Sequence, residues 1–228
     1  MTDEKISALL TTDFFSKISH HSRSPFNGLL GFAELLLINQ HKIGTEDARE
    51  YILRINMLSK RAYISSENNV VLLKIISGNI KPVDSSFPFS SVIDHISNIN
   101  KEGLILKKID FKHDIEIGLT INKDPFLMNL IFANILSRAV KLCNEESEIS
   151  MLAKTTKNKK IISLNYQGMP IESDIVGNYF SSQSKESELF PPELDIELWI
   201  CHKLLLLQGS KLVINYTEKL GTTFVVEF

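Results

Sequence analysis

The segment Phe15-Ser16-Lys17-Ile18-Ser19-His20-His21-Ser22-Arg23-Ser24-Pro25-Phe26-Asn27-Gly28-Leu29-Leu30-Gly31-Phe32-Ala33-Glu34-Leu35-Leu36 decides the fold of this chain. Within it Phe15, Ile18, Ser22, Pro25, Leu29, Phe32 and Leu36 fall at alternating steps of three and four. That spacing is the seam of a long, one-sided helix, expected from about Asp3 to Gln40. His20 lies two residues past Ile18, on the side away from the seam, where an imidazole is reachable from solvent. Pro25 gives no helical hydrogen bond and its ring crowds the carbonyl of His21, so a kink is expected beside the histidines.

Working outward, Gly44 ends this helix and Thr45-Glu46-Asp47 restarts with a capping residue and first-turn carboxylates. Ile55, Leu58, Ala62, Ser65, Asn69, Leu72 and Ile76 repeat the three-four spacing, so two antiparallel helices zip into a hairpin. Two helices alone do not bury both seams. A homodimer whose four helices form one bundle is the expected completion.

The Pro/Ser-rich stretch from Lys81 to Pro88 reads as a connector, with a boundary near residue 82 between an N-terminal hairpin (1–81) and a second domain (82–228). In the second domain we expect helices at Ser90–Lys101, Pro125–Leu142 and Glu193–Gln208. Strands are expected near Asp110–His113, Gly118–Ile121, Glu148–Thr155, Lys160–Tyr166, Lys211–Thr217 and Thr222–Phe228, with a Ser-rich loop at Val176–Glu188. The fold class is therefore α+β: a helical hairpin followed by an α/β sandwich with one layer of helices on a mixed sheet.

Composition narrows the function. In 228 residues, 43% are hydrophobic and 23% charged, an ordinary globular texture, and the net charge of −2 supplies no summed field to hold nucleic acid or an anionic membrane. Cys143 and Cys201 stand apart among apolar neighbours and read as reduced, buried thiols. His41, His95, His113 and His202 show no metal spacing, so no metal site is expected. The N-terminus lacks a basic and apolar leader, and Leu29–Ile38 is far shorter than the roughly 20 residues that span a bilayer. A cytoplasmic protein without membrane insertion is the expectation.

The segment around His20 resembles the phosphoacceptor box of two-component sensor histidine kinases, F-x-x-x-S-H-E-x-R-T-P-L-N. By that match His20 is the phosphoacceptor, Arg23 keeps the box's arginine, and Ser24 keeps a hydroxyl where the family orients a water for dephosphorylating its partner. His21 replaces the family's acidic residue, the general base of autophosphorylation. A neutral imidazole accepts a proton near pH 7.

The resemblance runs over nearly the whole chain. Asp124 to Leu142 aligns without gaps to the family's D-P-x-R-L-x-Q-V-L-x-N-L-L-S-N-A-x-K-F box, keeping Asn134 and Lys141. Arg138 replaces the asparagine that holds magnesium in the family, and a fixed cation does not coordinate Mg²⁺. Ser163 to Ile171 sits at the D-x-G-x-G-I element. There Tyr166 replaces the aspartate that accepts the adenine amino group, Gly168 is kept, and Pro170 replaces the second glycine. The Gly-rich lid element falls at Asp195–Ile200 with no glycine left, and Asp195 and Glu197 stand where helix amides would receive triphosphate. Gln208–Ser210 and Lys219–Phe224 resemble the family's closing strand pair.

What the resemblance implies is a degenerate member that keeps His20 and does not use ATP: a histidine phosphotransferase relaying a phosphoryl group to or from aspartates of response-regulator receiver domains. The receiver would bring the Mg²⁺, and the protein itself would carry no cofactor. The competing expectations are a divergent autokinase and a non-catalytic pseudokinase that binds a response regulator.

Overall fold

A computed structural model of the chain describes residues 12–157, 159–171 and 195–228. The Ser-rich loop Val176–Glu188, the helix start at Glu193 and the first residues of the expected N-terminal helix lie outside the described residues. Two long helices open the structure, α1 (Thr12–Asn39) and α2 (Thr45–Ile76). They pack as the seams require: Pro25 is buried mid-helix, Gly28 lets α1 approach so closely that a Cβ there would meet Leu58 Cδ1 at 2.9 Å, and Asn69 Nδ2 donates to Ser22 Oγ at 2.9 Å.

The elements that follow are β1 (Ser85–Pro88), α3 (Ser90–Lys107), β2 (Asp110–Ile115), β3 (Thr120–Lys123), α4 (Pro125–Leu142), β4 (Glu148–Thr156), β5 (Lys159–Tyr166), α5 (Ile196–Leu207), β6 (Lys211–Thr217) and β7 (Gly221–Glu227). A five-stranded sheet has the order β2-β4-β5-β7-β6, with β2 and β4 parallel and the other pairs antiparallel. Burial alternates along its strands. Ile149, Met151 and Ala153 of β4, Ile162, Leu164 and Tyr166 of β5, and Thr222, Phe224 and Val226 of β7 turn toward a layer formed by α3, α4 and α5. A period of two with one buried face is what a sheet covered on that side by helices demands.

Three features differ from the sequence expectation. First, α3 runs on to Lys107 instead of stopping at Lys101, ending at Lys108 in the left-handed conformation (φ 52°). Gly103 inside it is a contact surface, since a Cβ would lie 3.1 Å from Val140 Cγ1 and 3.7 Å from Met57 Sδ. Second, the connector hides strand β1, which pairs antiparallel with β3 through Ser85–Lys123 and Pro88–Thr120. The extended piece expected at Gly118–Ile121 is accordingly shifted to Thr120–Lys123, where a partner strand exists.

Third, α2 serves two neighbours. Ala62, Ser65, Leu72 and Ile76 of the expected seam are buried, and so are Ile64, Asn68 and Val71 on an adjoining row. Ile64, Val71, Leu72 and Ile76 belong to the same core as α4 and the sheet. A buried ion pair fastens the contact: Lys60 Nζ lies 2.8 Å from Glu102 Oε2 of α3 and donates to the Asn98 carbonyl at 2.6 Å, while Asn56 Nδ2 donates to Glu102 Oε1 at 2.9 Å. By length and composition α4 alone among the described helices is apolar enough to cross a membrane, but 67% of it is buried here in the core.

Candidate functional site

His20 is exposed on α1, between two hollows. On one side it shares an open polar groove with Ser16, Ser19, Arg23, Ser24 and Asn27. On the other it borders a cleft of about 310 Å³ between the hairpin and the α/β layer, which Arg61 and Ser65 of α2, Arg138 and Lys141 of α4, and Glu197 of α5 also line. The outward placement read from the seam is therefore found. The side chain of His21 lies outside the described residues. The proline ring at position 25 packs inward, and Ser22 Oγ donates to the Ile18 carbonyl at 2.8 Å in the same turn.

The residues expected at a degenerate nucleotide site come together, but each is engaged by this chain itself. Asn134 is buried and exchanges hydrogen bonds with Asn68 of α2: Asn68 Nδ2 donates to Asn134 Oδ1 at 2.9 Å and Asn134 Nδ2 to Asn68 Oδ1 at 2.8 Å. Arg138 Nη1 meets Asp195 Oδ2 at 2.5 Å, with both side chains only 18% exposed. A guanidinium supplies no oxygen to a magnesium ion, so the donor set here does not fit the metal that the family places at this position.

Asp195 is also the N-cap of α5. Its Oδ1 accepts from the backbone amides of Glu197 at 2.9 Å and Leu198 at 3.4 Å. The positive end of the helix is thus met by the helix's own carboxylate, the stabilising choice for orphan amides. The resemblance placed Asp195 where helix amides would receive triphosphate, and here its own carboxylate occupies those amides. Asp195 is neutralised by Arg138, so the two departures from the family pattern are one ion pair.

Tyr166 does not stand in for the missing adenine acceptor. Its side chain is fully buried, its hydroxyl donates to the Met169 carbonyl at 3.2 Å and its ring stacks on Phe224 at 6.4 Å between centroids. Burial pushes the phenol up from its ordinary pKa, with the Thr222 hydroxyl and then the Arg138 charge pulling the other way. Gly168 is kept for packing: a Cβ would lie 2.1 Å from the Leu142 carbonyl oxygen, and the Met169 amide donates to that same oxygen at 2.9 Å. Pro170 is exposed beside it. Lys141 is exposed at the end of α4, whose last carbonyls are capped by Lys107 Nζ through Lys141 O at 2.9 Å and Cys143 O at 2.8 Å.

Both cysteines are free and buried. Burial pushes the Cys201 thiol far above its usual range, so it is inert.

Arg61 is the residue that sequence reading missed. It sits between the seam positions Leu58 and Ala62 and looks like any solvated helix charge. In the fold it is half-buried at the cleft, where desolvation pulls its pKa down and Glu197 across the cleft partly restores it. Periodicity carries no signal for it, because the surface that covers it comes from α4 and α5.

No family model matches the chain. Among curated proteins it is 24% identical over 231 residues, 96% of its length, to the autoinducer 2 sensor kinase/phosphatase LuxQ of Vibrio harveyi, and 24% identical over 213 residues, 89% of its length, to the sensor protein KdpD of Clostridium acetobutylicum. It spans about a quarter of those relatives, 26% and 23% respectively. Among solved structures, the histidine kinase ThkA in complex with the response regulator protein TrrA superposes with a TM-score of 0.59 at 20% identity, covering 99% of this chain and 63% of that one. The Acinetobacter baumannii histidine kinase AdeS gives 0.57 at 15% identity, covering 92% and 96%.

Proposed function

Starting from a chain related in sequence and in fold to the two-component sensor histidine kinases, we propose that it is a histidine phosphotransferase that exchanges phosphoryl groups with response-regulator receiver domains and does not use ATP. The observation that carries the reading is the contrast between His20 and the former nucleotide side. His20 is exposed on a helix face, whereas Asn134, Arg138 and Tyr166 are each committed to contacts within the chain.

In the forward step the neutral His20 imidazole attacks the phosphorus of a receiver aspartyl phosphate. The N–P bond forms as the acyl P–O bond breaks, and the aspartate leaves as a carboxylate. The receiver brings the metal that neutralises the transferring group, so this chain needs none of its own. The groove of Ser16, Ser19, Arg23, Ser24 and Asn27 is where the receiver meets the histidine, with Arg23 and Ser24 as positioning residues. Exposed Phe26, Leu30, Leu37, Ile38, Tyr63 and Leu73 leave an apolar face on the hairpin, which supports pairing with a second copy into a four-helix bundle.

The test is a transfer assay. A radiolabelled phospho-receiver is mixed with the protein, and label is expected on the wild type and absent from His20→Ala. Label that persists in the alanine variant, or receiver binding with no transfer at all, overturns the proposal. So does labelling of His20 from ATP alone. A nucleotide titration followed by fluorescence of Trp199, on α5 beside Asp195, is expected to stay flat.

A further inference from the structure

The cleft beside His20 holds buried polar groups that find no partner among the described residues. Among the described residues, Ser65 Oγ, on a residue only 4% exposed, has no hydrogen-bond partner, and Arg138 Nε is buried without one although its Nη1 is paired with Asp195. Arg61, half-buried at the same cleft, faces Glu197 across it. Two unsatisfied donors and the Arg61 guanidinium line one space of about 310 Å³, which Lys141 also lines. Buried donors left alone are costly, and donors of this kind in a hollow mark the place of an acceptor-rich ligand.

The charges sort the ligand. From α2 comes Arg61, from α4 come Arg138 and Lys141, and from α5 comes Glu197, with Asp195 already bound to Arg138. α3 contributes only uncharged residues and α1 contributes His20 and Ser24. Cations outnumber anions, and every unsatisfied group named above is able to donate. The planar guanidinium fork pairs bidentately with oxyanions that offer several acceptor oxygens, phosphate among them.

We propose that the cleft is a phosphate-binding site with Arg61 as its principal cation and Ser65 as a supporting donor. The phosphate reaches it from one of two sources: the phosphoryl group carried on His20, or an oxyanion free in solution. The first source rests on the phosphotransfer reading above, and the second is independent of it. In the first case Arg61 is a positioning residue that shelters phosphohistidine from water while the hairpin waits for a receiver.

The experiment uses the whole chain. Inorganic phosphate is titrated at constant ionic strength, with chloride as control, and the thermal midpoint is followed for wild type, Arg61→Gln, Ser65→Ala and His20→Ala. In a second arm, phosphoramidate transfers its phosphoryl group to His20, the N–P bond to the imidazole forming as ammonia leaves. The lifetime of the phosphohistidine is then read by phosphorus NMR.

A saturable rise with phosphate, weakened about tenfold in affinity by Arg61→Gln and retained in His20→Ala, supports a free oxyanion. A phosphohistidine lifetime several-fold shorter in Arg61→Gln or Ser65→Ala supports the carried group. If phosphate acts no differently from chloride and neither variant changes the lifetime, the site is overturned. Should Arg61→Gln fail to fold, Ser65→Ala decides alone. A protein that binds phosphate through Arg61 yet accepts nothing from a receiver overturns the transfer function and leaves the site standing.

Discussion

Asn68 of α2 and Asn134 of α4 face each other across the junction of hairpin and α/β layer, and each amide is both donor and acceptor to the other, at 2.9 and 2.8 Å. The asparagine that the family alignment assigns to a nucleotide pocket therefore works here as a clasp between two parts of the fold. Truncating either side leaves a buried amide without its partner. Asn68→Ala and Asn134→Ala are each expected to cost about 1–3 kcal/mol in urea denaturation, and the double variant less than the sum of the two.

Arg138 and Asp195 test whether the altered nucleotide side is one unit. Returning position 138 to the family residue, Arg138→Asn, strands the Asp195 carboxylate in a site only 18% exposed, and a loss of about 2 kcal/mol is expected. Adding Asp195→Asn keeps an N-cap for α5 without the charge, so the double variant should recover a measurable part of that loss in thermal denaturation.

The Lys60–Glu102 pair holds α2 on α3. Glu102 is almost fully buried and is contacted by Lys60 and Asn56 together. Lys60→Met leaves that carboxylate uncompensated and is expected to destabilise by about 3 kcal/mol, whereas Glu102→Gln, which keeps an acceptor for Asn56 and carries no charge, should cost less. Chemical denaturation of both variants measures the difference.

Two glycines should respond in opposite ways to the same methyl group. Gly168→Ala drives a Cβ to 2.1 Å from the Leu142 carbonyl oxygen, which is backbone and does not yield, and a cost of more than about 3 kcal/mol is expected. At Gly28 the opposing atom is the tip of the Leu58 side chain, which is free to change rotamer, and helix propensity favours alanine, so Gly28→Ala should lie within about 1 kcal/mol of wild type. Thermal midpoints decide.

Acid should weaken the fold through His202. Burial, helped by the neighbouring Lys203 charge, lowers its pKa to about 4. The unfolded chain takes up this proton near pH 6.5 and the folded chain only near pH 4, so over that window the unfolded state holds more protons. The stability is intact above about pH 6.5 and declines on acidification, by up to about 3 kcal/mol. His95, lowered by desolvation, adds to the same trend with the same sign. A His202→Gln variant should show a flatter stability profile between pH 6.5 and 4.

Much of the scaffold is legible in the sequence. The spacing from Ile18 to Leu36 and from Ile55 to Ile76 yields the hairpin because a 3.6-residue period leaves little freedom in which side turns inward. Alternation in Glu148–Thr155 and Lys160–Tyr166 likewise yields β4 and β5. What escaped reading was set by partners distant in the chain. Strand β1 hid in a Pro/Ser-rich stretch because only β3 makes it a strand, and the last turns of α3 form because Gly103 admits Val140 and Met57.

The candidate site divides along the same line. Local pattern in the sequence determined that His20 points outward from a long helix, and the family resemblance marked positions 138, 166 and 195 as departures from its nucleotide-site motifs. The tertiary structure alone decided what those side chains do instead. Arg138 finds Asp195 57 residues away, Asn134 finds Asn68 66 residues away, and Arg61 becomes part of a cleft by being covered from α4 and α5. Helical and strand periods act between neighbours in sequence. The pairing of buried polar groups depends on which surfaces meet, and no local pattern encodes that.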